Sequence, residues 1–169
     1  MATTTIATEV PMVVEMPERH FWALEGNGPF DTCGKQFGKL GQIAKEKGLS
    51  KHKTSMLVLC DVPHTAKEDL VWACGILMTD DDDVKNPPND EMIAVKIPKG
   101  KYATILHKGD YAGLPKSWGN LCMTWIPSQG LCPRKGSRDM PHYEVYLKND
   151  MGPDDPKENL ETQLFCPVE

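Results

Sequence analysis

Val95-Lys96-Ile97-Pro98 restates, 81 residues later, the pattern of Val14-Glu15-Met16-Pro17. The same offset pairs Phe21 with Tyr102, Gly28 with Gly109, Phe30 with Tyr111, Phe37 with Trp118 and Leu40 with Leu121. Further on, Lys67-Glu68-Asp69-Leu70 matches Lys157-Glu158-Asn159-Leu160 at an offset of 90. The extra residues fall in turn-like stretches, Pro133 to Asp139 and the neighbourhood of Gly152. A repeat of this length governs the architecture, so it is read before local signals. It predicts two related halves, about 13–78 and 94–168, joined by an acidic segment, 79–93, within one domain spanning residues 1–169.

Each half reads as strand, helix, strand, strand. Val13 to Glu25 alternates loosely around Pro17, as an edge or bulged strand does. Gly26-Asn27-Gly28-Pro29 is a turn. It is not a dinucleotide fingerprint, because the third glycine position is Asp31. Asp31 or Thr32 is placed to cap a helix running to about Lys47, with Gly48 as its stop. Phe37, Leu40 and Ala44 give that helix an apolar stripe. Met56 to Cys60 and Leu70 to Met78 are strand-like runs around a turn at Pro63. In the second half Gly109 to Gly113 is the turn and Pro115 suits a first helical turn. Trp118, Leu121, Cys122 and Trp125 follow at i, i+3, i+4 and i+7. Two tryptophans on that stripe exceed what a small core needs, so one of them is a candidate to face a pocket.

Composition narrows the function. A formal net charge of -5 and a pI near 5.5 indicate no basic surface, and direct nucleic-acid binding is not expected. No apolar run approaches the roughly 20 residues that span a bilayer, so no membrane partner is expected. Met1 to Val10 lacks the features of a secretory signal and reads as a flexible tail. The six cysteines form no C-x-x-C pair, which reads as a reduced, cytoplasmic protein. His20, His52, His64, His107 and His142 show no metal-ligand spacing, so no metal and no cofactor is expected. Asp80 to Asp83 reads as a solvated loop, since hard-cation loops alternate their ligands.

The chemistry centres on Pro141-His142-Tyr143-Glu144-Val145-Tyr146-Leu147. As a strand it places Glu144 and Tyr146 on one face. On a solvated face Glu144 is an ordinary surface acid. Lining a cavity, it is a carboxylate among rings, with Tyr111, Trp118 and Trp125 as companions. Such a group attracts cationic aromatic ligands. Burial also raises its pKa toward that of a general base. The sequence allows both uses. No nucleophile elbow, P-loop or H-E-x-x-H motif offers another centre.

Gly28-Pro29-Phe30, the stretch His107 to Leu114, Trp118 and Trp125-Ile126-Pro127 form, in order, a pattern completed by Tyr143 to Leu147 and by Leu160-Glu161-Thr162 to Cys166-Pro167-Val168. In these residues the chain resembles the GyrI-like small-molecule-binding proteins, which are related to the effector-binding domains of multidrug-responsive transcription activators. The resemblance implies an α+β fold, a tandem strand-helix-strand-strand duplication with pseudo-two-fold symmetry and a ligand cleft between the halves. It implies a small aromatic or cationic ligand held by the acid at Glu144, with Trp118, Trp125, Phe37 and His107 as ligand-binding residues. Some stand-alone relatives hydrolyse cyclopropane-bearing genotoxic natural products. That role would make Glu144 the general base, with Tyr111 or Tyr146 bonding the oxygen that gains charge. Other relatives act on gyrase, so a topoisomerase partner follows by family analogy alone. The sequence holds no DNA-binding helical module of the activator type, and Pro133 to Arg138 is a local insertion.

Overall fold

A computed structural model describes residues 9–49, 51–79, 87, 89–148 and 160–169. Pro17 has no N–H to give to a ladder. It splits the single first strand expected from the sequence into β1 (Met12–Met16) and β2 (Arg19–Asn27). The two part company: β1 pairs with β6 (Gly100–Lys108), whereas β2 lies between β4 (Val71–Leu77) and β5 (Ile93–Ile97). With β3 (Thr54–Val58), β7 (His142–Lys148) and β8 (Glu161–Pro167) they form one antiparallel sheet of order β1-β6-β8-β7-β3-β4-β2-β5.

The sheet curls into a half-barrel. Val14 and Met16 from one edge strand and Val95 and Ile97 from the other share a cluster with Tyr143 and Phe165 from the centre. Both faces are therefore buried, which is why β4 reads as an unbroken apolar run and β8 is buried along its length even at Thr162 and Gln163. Helices cover the other face.

Helix α1 (Gly34–Glu46) buries Leu40, Ile43 and Ala44 against Trp22, Met56, Trp72 and Ile76. Gly38 and Gly41 in its interior cost roughly 0.5–1 kcal/mol each, whereas burying Leu40 and Ile43 returns roughly 1.5–3 kcal/mol apiece. Packing, not propensity, makes this helix. Asp31 and Thr32 do not cap it, because a 3-10 turn (Phe30–Thr32) precedes it and the Thr32 hydroxyl donates to the Pro29 carbonyl at 2.6 Å. At the other end Leu49 N–H closes back on the Ala44 carbonyl at 2.7 Å around Gly48, as predicted for a glycine stop.

The second helix is not regular. α2 (Leu114–Gly119) runs through a π-helical segment (Asn120–Trp125) into α3 (Ile126–Ser128). The wider turn shifts the spacing of the expected stripe. Leu121 and Ile126 reach full burial, while Trp118, Cys122 and Trp125 stay half-buried beside them. The Pro133 to Asp139 loop is tied to the body through an ion pair of Arg138 with Glu25. Among the described residues no helix is long and apolar enough to cross a membrane. The residues Asp80 to Asp83 and those around Gly152 lie outside the described residues, as does most of the N-terminal tail.

Candidate functional site

β7 runs in the middle of the sheet, with Met56 of β3 opposite Glu144 on one side and Leu164 of β8 on the other. Tyr143 and Val145 point into the half-barrel core, so Glu144 and Tyr146 face the helices. The solvent-facing reading of Glu144 is excluded: the residue is 8% exposed. Its carboxylate is held at both oxygens. Trp118 Nε1 donates to Oε1 at 2.7 Å, and the Tyr146 hydroxyl donates to Oε2 at 2.8 Å. None of the ion pairs among the described residues involves it.

Aromatic rings close round the pair. Phe37 of α1 meets Tyr146 edge-on at 5.7 Å, and Tyr111 does so from the other side at 5.6 Å. Tyr111 is the outermost, at 40% exposure. His107 lies near enough to favour the ionised form of Glu144. Its ring is fixed by Ser117 Oγ at 2.7 Å and by the Asp110 carbonyl at 2.9 Å, to which Nε2–H donates. Trp125 packs instead into the apolar cluster beneath the second helix. A cavity of about 250 Å³ lies elsewhere, against β5, and none of these residues lines it.

Burial raises the Glu144 pKa above the usual carboxyl range, and the bonds from Trp118 and Tyr146 oppose that rise without cancelling it. The same burial, with the adjoining carboxylate, pushes the Tyr146 phenol well up, so it remains a donor at neutral pH. A carboxyl that is harder to ionise folded than unfolded stabilises the fold below its unfolded pKa, and that contribution is lost as pH rises through the folded value. Glu144→Gln keeps the shape, accepting from Trp118 and donating to the Tyr146 oxygen. It should raise the stability of the free protein by about 1–3 kcal/mol at pH 7. The gain should vanish near pH 4, below the ordinary Glu value of about 4.3. Melting curves of both proteins across that interval check this; a constant gap at every pH would remove the ionised carboxylate as its cause.

The family model described as the GyrI-like small molecule binding domain matches residues 9–169. The chain belongs to this family. No curated protein matches it. Among solved structures, a hydrolase from Listeria innocua shares the fold at a TM-score of 0.68 and 18% identity, with 97% of this chain and 94% of that chain covered. A cryo-EM complex of EcmrR with DNA aligns at a TM-score of 0.71 and 20% identity, over 95% of this chain and 57% of that one. SAV2435 bound to tetraphenylphosphonium aligns at 0.58 and 10% identity, over 95% of this chain and 94% of that one. At such identities these likenesses show the fold alone.

In this GyrI-like domain, then, the structure gathers Glu144, Tyr146, Trp118, Tyr111, Phe37 and His107 in one place and leaves Trp125 in the neighbouring core. Two participants were missed from sequence. His142 stacks on Trp118 with ring centroids 6.1 Å apart and planes at 21°. Its position two residues before Glu144 puts it on the same strand face, a signal that was available. Cys33, just before α1, lies close enough to Glu144 for its thiol pKa to be raised partly by that charge, after the larger effect of burial. Nothing in the sequence pointed to it.

Proposed function

We propose that this GyrI-like domain binds hydrophobic aromatic cations over β7, with Glu144 as the counter-charge and Trp118, Tyr146, Tyr111 and Phe37 as the stacking surface. One observation carries the reading: a buried carboxylate, braced by two donors and ringed by aromatic side chains, is in no ion pair among the described residues. Holding that charge without compensation costs several kcal/mol, and a ligand cation offsets the cost while the rings add cation–π attraction. The tetraphenylphosphonium bound to SAV2435 supports this ligand class. Its titration against the intrinsic tryptophan fluorescence, beside a neutral analogue of similar shape, tests the reading. Tighter binding of the cation is expected, and equal affinity would overturn it.

The cleft reading rests on a duplication of the chain. Exchanging β1–β4 for β5–β8 leaves the strand order unchanged. Gly28 N–H donates to the Leu70 carbonyl at 2.8 Å, and Gly109 N–H to that of Leu160 at 2.9 Å, both glycines at positive φ. Met78 N–H to the His20 carbonyl (2.9 Å) and Val168 N–H to that of Lys101 (3.1 Å) repeat the match. These pairs follow the offsets of 81 and 90 in the sequence. Phe37 and Trp118, equivalent by the same rule, then approach β7 from the two halves. All six cysteines are free, in keeping with the cytoplasmic reading.

A second reading, hydrolysis, is favoured by the raised pKa of Glu144. A carboxylate made more basic by burial can take a proton from water as its oxygen attacks a strained cyclopropane carbon. The ring C–C bond breaks, its electrons pass to a conjugated oxygen, and that oxygen is protonated. General-base assistance is worth about 10²–10⁴-fold. Tyr111 or Tyr146 would hydrogen-bond the developing oxyanion. Incubation with a spirocyclopropane alkylating agent and mass spectrometry decides the matter. A water adduct from wild type over many turnovers, and none from Glu144→Gln, establishes the enzyme; fluorescence quenching without adduct leaves a binding module.

A further inference from the structure

Beside Trp118, on which His142 stacks, three donors from separate elements come together: Cys122 in the π-helical segment, His142 on β7 and Cys166 on β8. Their ligand atoms lie within 4.8 Å of one another, with Cys166 Sγ 4.0 Å from His142 Nε2. We propose that Cys122, Cys166 and His142 form a binding site for a borderline-soft divalent cation of the zinc class.

Tetrahedral zinc, with Zn–S near 2.3 Å and Zn–N near 2.0–2.1 Å, needs S···S separations of about 3.8 Å and S···N of about 3.5 Å. From separations within 4.8 Å, each pair of donors reaches that geometry by closing about 1.3 Å or less. Two thiolates and one imidazole suit zinc and exclude the hard cations, which require oxygen. The π-helical segment adds weight: this rare turn recurs at functional sites, and here it presents Cys122 to the sheet.

One bond must open. His142 Nε2–H now donates to the Arg134 carbonyl at 2.6 Å. Ligation by Nε2 moves that proton to Nδ1 and releases Arg134, which sits in an exposed loop. The two sulfurs therefore dominate affinity, with His142 completing the set. Because Trp118 stacks on His142, occupancy also changes the emission of the ring that holds Glu144.

The test is an anaerobic titration of the reduced full chain with Co²⁺ alone. It should take up one equivalent, develop a thiolate-to-cobalt charge-transfer band with the strong visible absorption of a tetrahedral ion, and lose both on adding Zn²⁺. Zinc uptake in weak buffer should release about two protons. Cys122→Ser and Cys166→Ser should each abolish the band. His142→Ala should keep sulfur ligation while weakening binding about tenfold or more. Cys132→Ser, at an exposed thiol outside the cluster, should change nothing. Should a serine variant fail to fold, X-ray absorption of the zinc-loaded wild type reads the ligand set directly, with two sulfurs and one nitrogen expected. A band that survives both serine variants, a sulfur-free ligand set, or a Cys122–Cys166 disulfide formed in place of metal uptake would overturn the site. Tetraphenylphosphonium binding by Cys122→Ser should be unchanged, so the fate of the metal site and that of the cation site are read separately.

Discussion

Glu144→Gln should lower the affinity for tetraphenylphosphonium about 30-fold or more at pH 7, while a neutral analogue of similar shape changes by no more than about 3-fold. Two unit charges about 6 Å apart at an effective dielectric near 20 attract by roughly 3 kcal/mol, or about 100-fold. Part of that is offset because the free carboxyl is harder than usual to ionise, which sets the lower figure. Glutamine keeps the volume of Glu144, accepting from Trp118 through its one oxygen and donating from its amide to the Tyr146 oxygen. The aromatic surface is therefore preserved, and only the charge is lost. Isothermal calorimetry with the two ligands on the two proteins measures the difference. Equal losses for both ligands would mean that Glu144 shapes the site and does not attract the cation.

Trp72→Ala should lower stability by about 3–5 kcal/mol, a large part of the 5–15 kcal/mol typical of a domain. Trp72 is 1% exposed at the heart of the α1 cluster. Its Nε1–H donates to the Gly28 carbonyl at 2.9 Å, and its ring lies where a Cβ at residue 26 would stand only 2.5 Å from it. Glycine at 26 thus admits the indole, and the indole locks the turn that leads into α1. At about 2–4 °C per kcal/mol for a chain of this size, the melting temperature should fall by roughly 6–20 °C. Trp72→Phe keeps most of the apolar surface and should lose much less. A fall of only a degree or two in the alanine variant would contradict the packing described for this half.

Much of the frame was legible: the apolar run Leu70 to Met78 and the stripe of Phe37, Leu40 and Ala44 are what strand β4 and helix α1 bury. The split at Pro17 was not read as two strands, because a proline bend and a strand boundary look alike until the pairing partners are known; β1 pairs with β6, and β2 with β4 and β5. The π-helical segment was invisible for a related reason. Trp118, Leu121, Cys122 and Trp125 satisfy regular helical spacing, and only tertiary packing decides where a wider turn is admitted. Glu144 was singled out by its residue type on a β-strand, but its burial depends on Trp118 and Tyr146 closing over it, contacts that alternation alone cannot specify. The approach of Cys122 and Cys166 to His142 is wholly tertiary, since no spacing among them signals a site.

The central claim, that Glu144 is a buried carboxylate awaiting a cation, is tested most directly by ¹³C NMR titration of its side-chain carboxyl carbon, with and without saturating tetraphenylphosphonium. In the free protein the carboxyl should titrate above the ordinary value of about 4.3. The bound cation should bring it down again, and a neutral analogue should not. A midpoint in the ordinary range when free, or one that the cation leaves unmoved, would contradict the account.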